Sequence, residues 1–200
     1  MGLKAHSGWA ALVAVGEDGG APVLVERCRL QLVAPEDAEW AKQPYHAAHG
    51  LEPEDARELV ARGVRSARRL ALHELKSCVE RAAAAGHRQV AAAVIVGKPM
   101  PDWSVEQILA VHFRMHQAEG VLFRDALVHA VEACGLRPVP VREDSLEKRA
   151  CEVLSARPAQ LAAAVAALGR AAGPPWSRDQ KDAALAAWLA LHSGPKRTRN

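Results

Sequence analysis

His112, His116 and Glu119 stand at i, i+4 and i+7 in the stretch 105–134, VEQILAVHFRMHQAEGVLFRDALVHAVEAC. At about 100° per residue the three fall within about 60° of one another on a helix. They lie in the middle of an apolar stripe of Val105, Ile108, Leu109, Met115, Leu122, Phe123, Ala126, Leu127, Ala130 and Cys134. Ionisable groups on the buried line of a helix need partners, because an unpaired charge is costly to take out of water. Three chemistries fit. Two imidazoles four residues apart suit a divalent metal such as zinc or manganese, and Glu119 would supply a third ligand. A hydrogen-bonded network is the second, with His112 or His116 donating to Glu119. The third is a small-ligand or acid–base site, since buried titratable clusters are where pKa values move. The pattern is not HExxH, because Phe113 occupies the place of the general-base glutamate.

Two further positions belong with these. Residues 34–52 have neither helical nor strand period, yet the block AKQPYHAA combines Pro44, Tyr45 and His46. It reads as a loop pinned to the core by Trp40 and Tyr45, or as a site loop presenting His46 to the His112/His116/Glu119 helix. Lys98, in GKPMP, follows an apolar strand at the end where α/β sheets bind ligands. It is the candidate cofactor-binding residue, although no P-loop surrounds it. Gly120 costs about 1 kcal/mol against alanine inside a helix, which fits a close approach of backbone or ligand. Arg124 and Asp125 read as a surface pair.

The elements that must carry these residues follow in order. The runs 8–15 and 23–33, separated by Glu17, Asp18, Gly19 and Gly20, predict an antiparallel hairpin. A long helix opens at Pro53 and ends at Gly86. Its buried face is Ala56, Leu59, Val60, Gly63, Ala67, Leu70, Leu75 and Cys78, and Arg62, Arg65, Arg68 and Arg69 lie mostly off it. QVAAAVIVGKPMP, 89–101, contains a central buried strand. The organising helix is capped by Ser104 with Gln107 three residues on, and Trp103 is placed to staple onto Ile108. Gly135 stops it, and LRPVPV, 136–141, reads as an edge strand because of its prolines. Strand, helix, strand makes a βαβ unit with parallel strands. Helices follow at 144–155, 158–169 and 178–192, the last opened by Ser177 with Gln180.

Half the chain is hydrophobic and the formal net charge is +3, which describes one ordinary domain over 1–195 with a basic tail at 196–200. Cys28, Cys78, Cys134 and Cys151 form no CxxC pair and read as small buried hydrophobes of a reducing compartment. No basic-then-apolar leader opens the chain and no apolar run approaches a membrane span. A cytoplasmic protein is expected.

Hairpin, helix, strand, helix, strand and closing helix together resemble the ribonuclease H-like superfamily, an α/β fold with a mixed sheet. SGWAALVAV looks like the opening strand of its Holliday-junction-resolvase branch, and WSRDQKDAALAAWLAL looks like that branch's last helix. Asp179 and Asp182 are the positions matching its closing carboxylate. The resemblance also implies an acid on the first strand and another after the central strand. The run before Gly8 holds Leu3, Lys4, Ala5, His6 and Ser7, and Gly97 and Lys98 stand at the second place. Two-metal catalysis depends on several carboxylates bridging ions about 4 Å apart, so the resemblance implies a degenerate nuclease site. PYHAA and the H-x(3)-H-x(2)-E-G-x-L-F-R-D-A-L helix further resemble a bacterial family that carries no activity to transfer. Three functions are therefore expected to compete. One is a non-catalytic ribonuclease H-like protein binding nucleic acid or a protein partner. The others are a metal-dependent hydrolase and a small-ligand-binding protein, both built on the His/Glu cluster.

Overall fold

The computed structural model describes residues 1–193; the basic tail expected over 196–200 lies outside the described residues. Five strands form one mixed sheet: β1 (Gly2–His6), β2 (Trp9–Asp18), β3 (Ala21–Gln31), β4 (Ala91–Val96) and β5 (Arg137–Arg142), in the order β3-β2-β1-β4-β5. β1–β2 and β2–β3 are antiparallel, while β1–β4 and β4–β5 are parallel. The β2–β3 hairpin turns on Gly19 and Gly20, both at positive φ, as a two-residue loop matching strand twist requires. The Pro-containing β5 sits on an edge, where missing N–H donors cost least.

One expectation needs correcting here. SGWAALVAV is not the opening strand; it leads into β2, and the opening strand is Gly2–His6. With it, β1, β2 and β3 form a three-stranded antiparallel meander where the sequence predicts a two-stranded hairpin. β1 is hard to see because it lies mid-sheet with Leu3 packed into one core while Gly2 and Lys4 face the other layer. Leu3, Lys4, Ala5 and His6 do alternate, but over only five residues and with a lysine on a face that is buried, so the segment lacks the apolar run expected of a mid-sheet strand.

Helices cover both faces. On one, α3 (Pro53–Ala84) and α5 (His112–Ala133) bury Ala67, Ala71, Leu75, Phe123, Leu127 and Val131 against Leu3, Leu12, Leu30 and Val94. On the other, α6 (Leu146–Leu154), α7 (Pro158–Ala172) and α8 (Arg178–His192) pack on Val13, Ala93, Ile95, Val139 and Val141. Five of the seven buried residues of α8 are alanine, and its backbone lies close to β1 at Gly2. The segment before α3 is not a loop but two short helices, α1 (Ala38–Ala41) and α2 (Pro44–Ala48).

The helix expected over 105–134 is divided. α4 (Val105–Leu109) starts from the Ser104/Gln107 capping box, with Trp103 packed beside Ile108. The helix breaks at Ala110–Val111, where Val111 is extended (φ −140°, ψ 114°), and α5 begins at His112. The break frees Val105 and Leu109 to pack against Ala56 and Val60 of α3 while α5 keeps its own stripe under the sheet. Cys28 and Cys78, 50 residues apart in sequence, meet across the β3/α3 interface with Sγ atoms 3.3 Å apart. Among the described residues no helix is long and apolar enough to cross a membrane.

Candidate functional site

Two clusters of polar groups sit at the end of the sheet where the parallel strands β1, β4 and β5 finish, one on each face. On the α3/α5 face, α2 brings His46 over the first two turns of α5. Glu119 is 3% exposed. One of its oxygens, Oε1, accepts the His46 Nδ1–H at 2.8 Å and the His46 backbone N–H at 3.2 Å. With Nδ1 committed to the carboxylate, Nε2 carries the lone pair. That Nε2 atom is buried and without a hydrogen-bond partner among the described residues. The His46 ring lies 5.1 Å from the His112 ring and 4.5 Å from the His116 ring, centre to centre. His112 and His116 share an Nε2···Nε2 contact of 3.1 Å at the solvent-facing rim. One ring nitrogen from each of the three histidines lies within 4.8 Å of the other two.

The sequence places His112, His116 and Glu119 on one line, and in the fold they divide by depth. Glu119 points inward behind His46, whereas His112 and His116 are exposed and make no bond to it. Tyr45 packs nearby, its phenol pushed up by burial and then by the Glu119 charge. α2 reaches this place because Gly63 of α3 leaves room for Pro44: a Cβ on Gly63 would sit 2.9 Å from the Pro44 Cβ. Gly63→Leu should therefore lift α2 and cost about 1–3 kcal/mol, the usual range for overpacking. Gly63→Ala should cost less, because gained helix propensity of about 1 kcal/mol offsets part of the clash. Chemical denaturation of the two variants measures the difference.

On the α8 face, the Lys4 ammonium gathers three carboxylates. Its Nζ donates to Asp182 Oδ2 at 2.7 Å and Glu143 Oε1 at 3.0 Å, and lies 3.6 Å from Asp179 Oδ1. Burial pulls the Lys4 pKa down, but the hydrogen bonds and charges of Asp182 and Glu143 outweigh it and the net shift is upward. His6 Nε2 lies 3.1 Å from Asp179 Oδ1, out of line for a hydrogen bond, and its ring stacks on Trp9, whose other neighbour is the Arg29 guanidinium. Asp179 and Asp182 thus come together as the spacing of α8 demands. Lys4, Glu143 and His6 were not singled out from the sequence. Their one signal was a lysine inside a short segment otherwise built to be buried.

Lys98 follows β4 and lines a cleft of about 510 Å³ with Gly97, Met100, Arg124, Asp125 and Arg142. Arg124 and Asp125 form no ion pair with each other. Consecutive helical positions diverge by about 100°, and the Arg124 guanidinium lies across Gly97, 2.7 Å from where a Cβ would stand. It also fills the space beside Gly120. Arg142 pairs with Asp144, while Lys98 and Arg124 have no ion-pair partner among the described residues. On α3, Arg65 pairs with Glu58, and Arg62 reaches Asp37 and lies over Trp40.

The strand order, the mixed pairing and the helices on both faces define a ribonuclease H-like α/β fold. The chain is similar to the solved structure of T. thermophilus RuvC in complex with Holliday junction substrate, with a TM-score of 0.53 and 14% identity over 96% of this chain and 91% of that one. It is also similar to the Thermus thermophilus RuvC structure, with a TM-score of 0.48 and 12% identity over 94% and 90% of the two chains. No protein-family model matches the chain, and none of the curated proteins does.

Proposed function

We propose that this chain is a ribonuclease H-like protein that has given up two-metal nuclease chemistry and acts by binding nucleic acid at the end of its sheet. The observation that carries the reading is the Lys4 ion cluster. In the fold's nucleases a first-strand acid and closing-helix acids share divalent ions. Here the first-strand residue facing Asp179 and Asp182 is an ammonium, 2.7 Å from one of them. A fixed cation already sits against these carboxylates where a divalent ion would, and it cannot polarise a phosphate or activate water as a divalent metal does. The place after the central strand, where the resemblance expects an acid, is held by Gly97 and Lys98.

Binding is supported by what replaces the acids. Lys98 and Arg124 line the neighbouring cleft, and such cations contact phosphate without reading sequence. The neighbouring fold, RuvC, is seen with a Holliday junction, so a branched DNA is the natural first probe. With magnesium or manganese the protein should leave branched and linear DNA uncut. Fluorescence anisotropy should show binding that weakens with salt. Lys98→Ala/Arg124→Ala should flatten the slope of log affinity against log salt by about 2. Metal-dependent cleavage would sink the first half of the reading. Absence of DNA binding at low salt would sink the second.

A further inference from the structure

We infer that His46, His112 and His116 form a mononuclear divalent-metal site of the zinc class, with Glu119 as the carboxylate that orients His46. The donor set, its tautomer and its solvent access all point the same way.

Imidazole nitrogen is a good ligand for zinc, and three histidines leaving a fourth position open are a known zinc arrangement. Tetrahedral geometry with zinc–nitrogen bonds of 2.0–2.1 Å places the donor nitrogens about 3.3 Å apart. His112 and His116 already present Nε2 atoms 3.1 Å apart. A ring nitrogen of His46 lies within 4.8 Å of a ring nitrogen of each, so a small rotation of the exposed rings brings the set onto one ion.

His46 distinguishes this cluster from a chance HxxxH pair. A ligating histidine characteristically donates its other N–H to a carboxylate, which fixes the tautomer and raises ligand basicity. Glu119 does this at 2.8 Å while also accepting the His46 backbone N–H. It thereby locks ring and main chain together. The opposite nitrogen is left buried and unpartnered. A buried imidazole nitrogen without a partner is unexpected in a purely structural network, where its lone pair should be satisfied. A metal satisfies it. His112 and His116 are exposed, so the fourth position faces solvent, as in sites that bind water or a ligand rather than closed structural sites.

The site lies on the opposite face of the sheet from the Lys4 cluster and is independent of it. Zinc is titrated into metal-free protein carrying no histidine tag, followed by calorimetry, and cobalt is used as the optical probe. One equivalent should bind per chain. Cobalt should give the strong visible bands of four or five coordination. His112→Ala/His116→Ala should abolish binding, and both variant side chains are surface ones that leave the core intact. Glu119→Gln should weaken zinc by about 10–100-fold and His46→Ala, which removes a ligand outright, should weaken it further, with circular dichroism checking that each is folded. If Glu119→Gln does not fold, His46→Ala decides alone. Zinc affinity unchanged in His46→Ala would reduce the cluster to an adventitious surface pair and overturn the assignment. So would absence of stoichiometric zinc in the wild type, or a cobalt spectrum of six-coordinate type.

Discussion

Lys4→Asp should destabilise the protein and at the same time make its stability depend on a divalent cation. In the wild type the Lys4 side chain is 10% exposed and faces carboxylates of Asp182, Asp179 and Glu143. Removing one partner of a fully buried ion pair costs about 3–5 kcal/mol because the remaining charge is stranded. Here Asp179 and Asp182 are about a fifth exposed and Glu143 more so, so water screens part of the loss and about 2–3 kcal/mol is the sounder expectation. For a chain of this size that lowers Tm by about 5–10 °C. The introduced carboxylate would join three others, a hard oxygen set suited to magnesium or manganese. Magnesium, which the histidine cluster does not suit, should then restore much of the lost Tm in the variant and leave the wild type unmoved. Linkage sets the pH window. The folded pKa of Lys4 is raised from 10.5, so its contribution is fully present below about pH 10 and is lost only as pH rises through the higher folded value. The gap between wild type and metal-free variant should therefore be flat from neutral pH to about pH 9. Differential scanning calorimetry with and without metal reads all of this. A variant as stable as wild type and indifferent to metal would mean that Lys4 does not hold these acids.

How much of this was legible in the chain follows from what each element shows to water. α3 and α8 announced themselves by period and caps, and β4 by an apolar run between glycines, because each buries a continuous face. The division of α4 from α5 was not legible. No proline interrupts Val105 to Cys134 and its one glycine, Gly120, lies well past the break, while the packing of Val105 and Leu109 on the α3 surface accompanies the bend at Val111. The His/Glu cluster was legible as an anomaly on a helix face. Its geometry was not, since α2 had to bring His46 from 66 residues upstream of His112 before depth separated Glu119 from the two rim histidines. The pairing of Cys28 with Cys78 is hidden for the same reason. Lys4 was not singled out because its strand was unseen: a lysine in a five-residue segment gives no sign of burial until the element around it is known to be the middle of the sheet.

Gly2 gives that strand its place, and Gly2→Ala should be among the most damaging single substitutions in the protein. A Cβ built at Gly2 would stand 1.9 Å from the Ala183 carbonyl oxygen and 2.6 Å from the Ala187 nitrogen. Both are backbone atoms of α8, so no side chain can swing aside; strand and helix must separate. Overpacking against movable side chains costs about 1–3 kcal/mol, and the rigid backbone here puts the cost at about 3 kcal/mol or more, a Tm loss of about 6–12 °C. The separation would also draw Lys4, two residues along the same face, away from Asp182. Gly2→Ala should thus lose part of the Lys4 ion cluster as well as packing, and its cost should be non-additive with that of Lys4→Met, because the two share one contact surface. Gly16→Ala is the control: its Cβ would meet only Val23 and Val25 methyls at 3.4–3.5 Å, an ordinary contact, and its stability should stay within about 0.5 kcal/mol of wild type, as for other unremarkable surface substitutions. Urea denaturation of the three single variants and the Gly2→Ala/Lys4→Met double variant reads the whole comparison. A tolerated Gly2→Ala would mean that α8 stands off from β1, and the short reach from Lys4 to Asp182 would have to be given up with it.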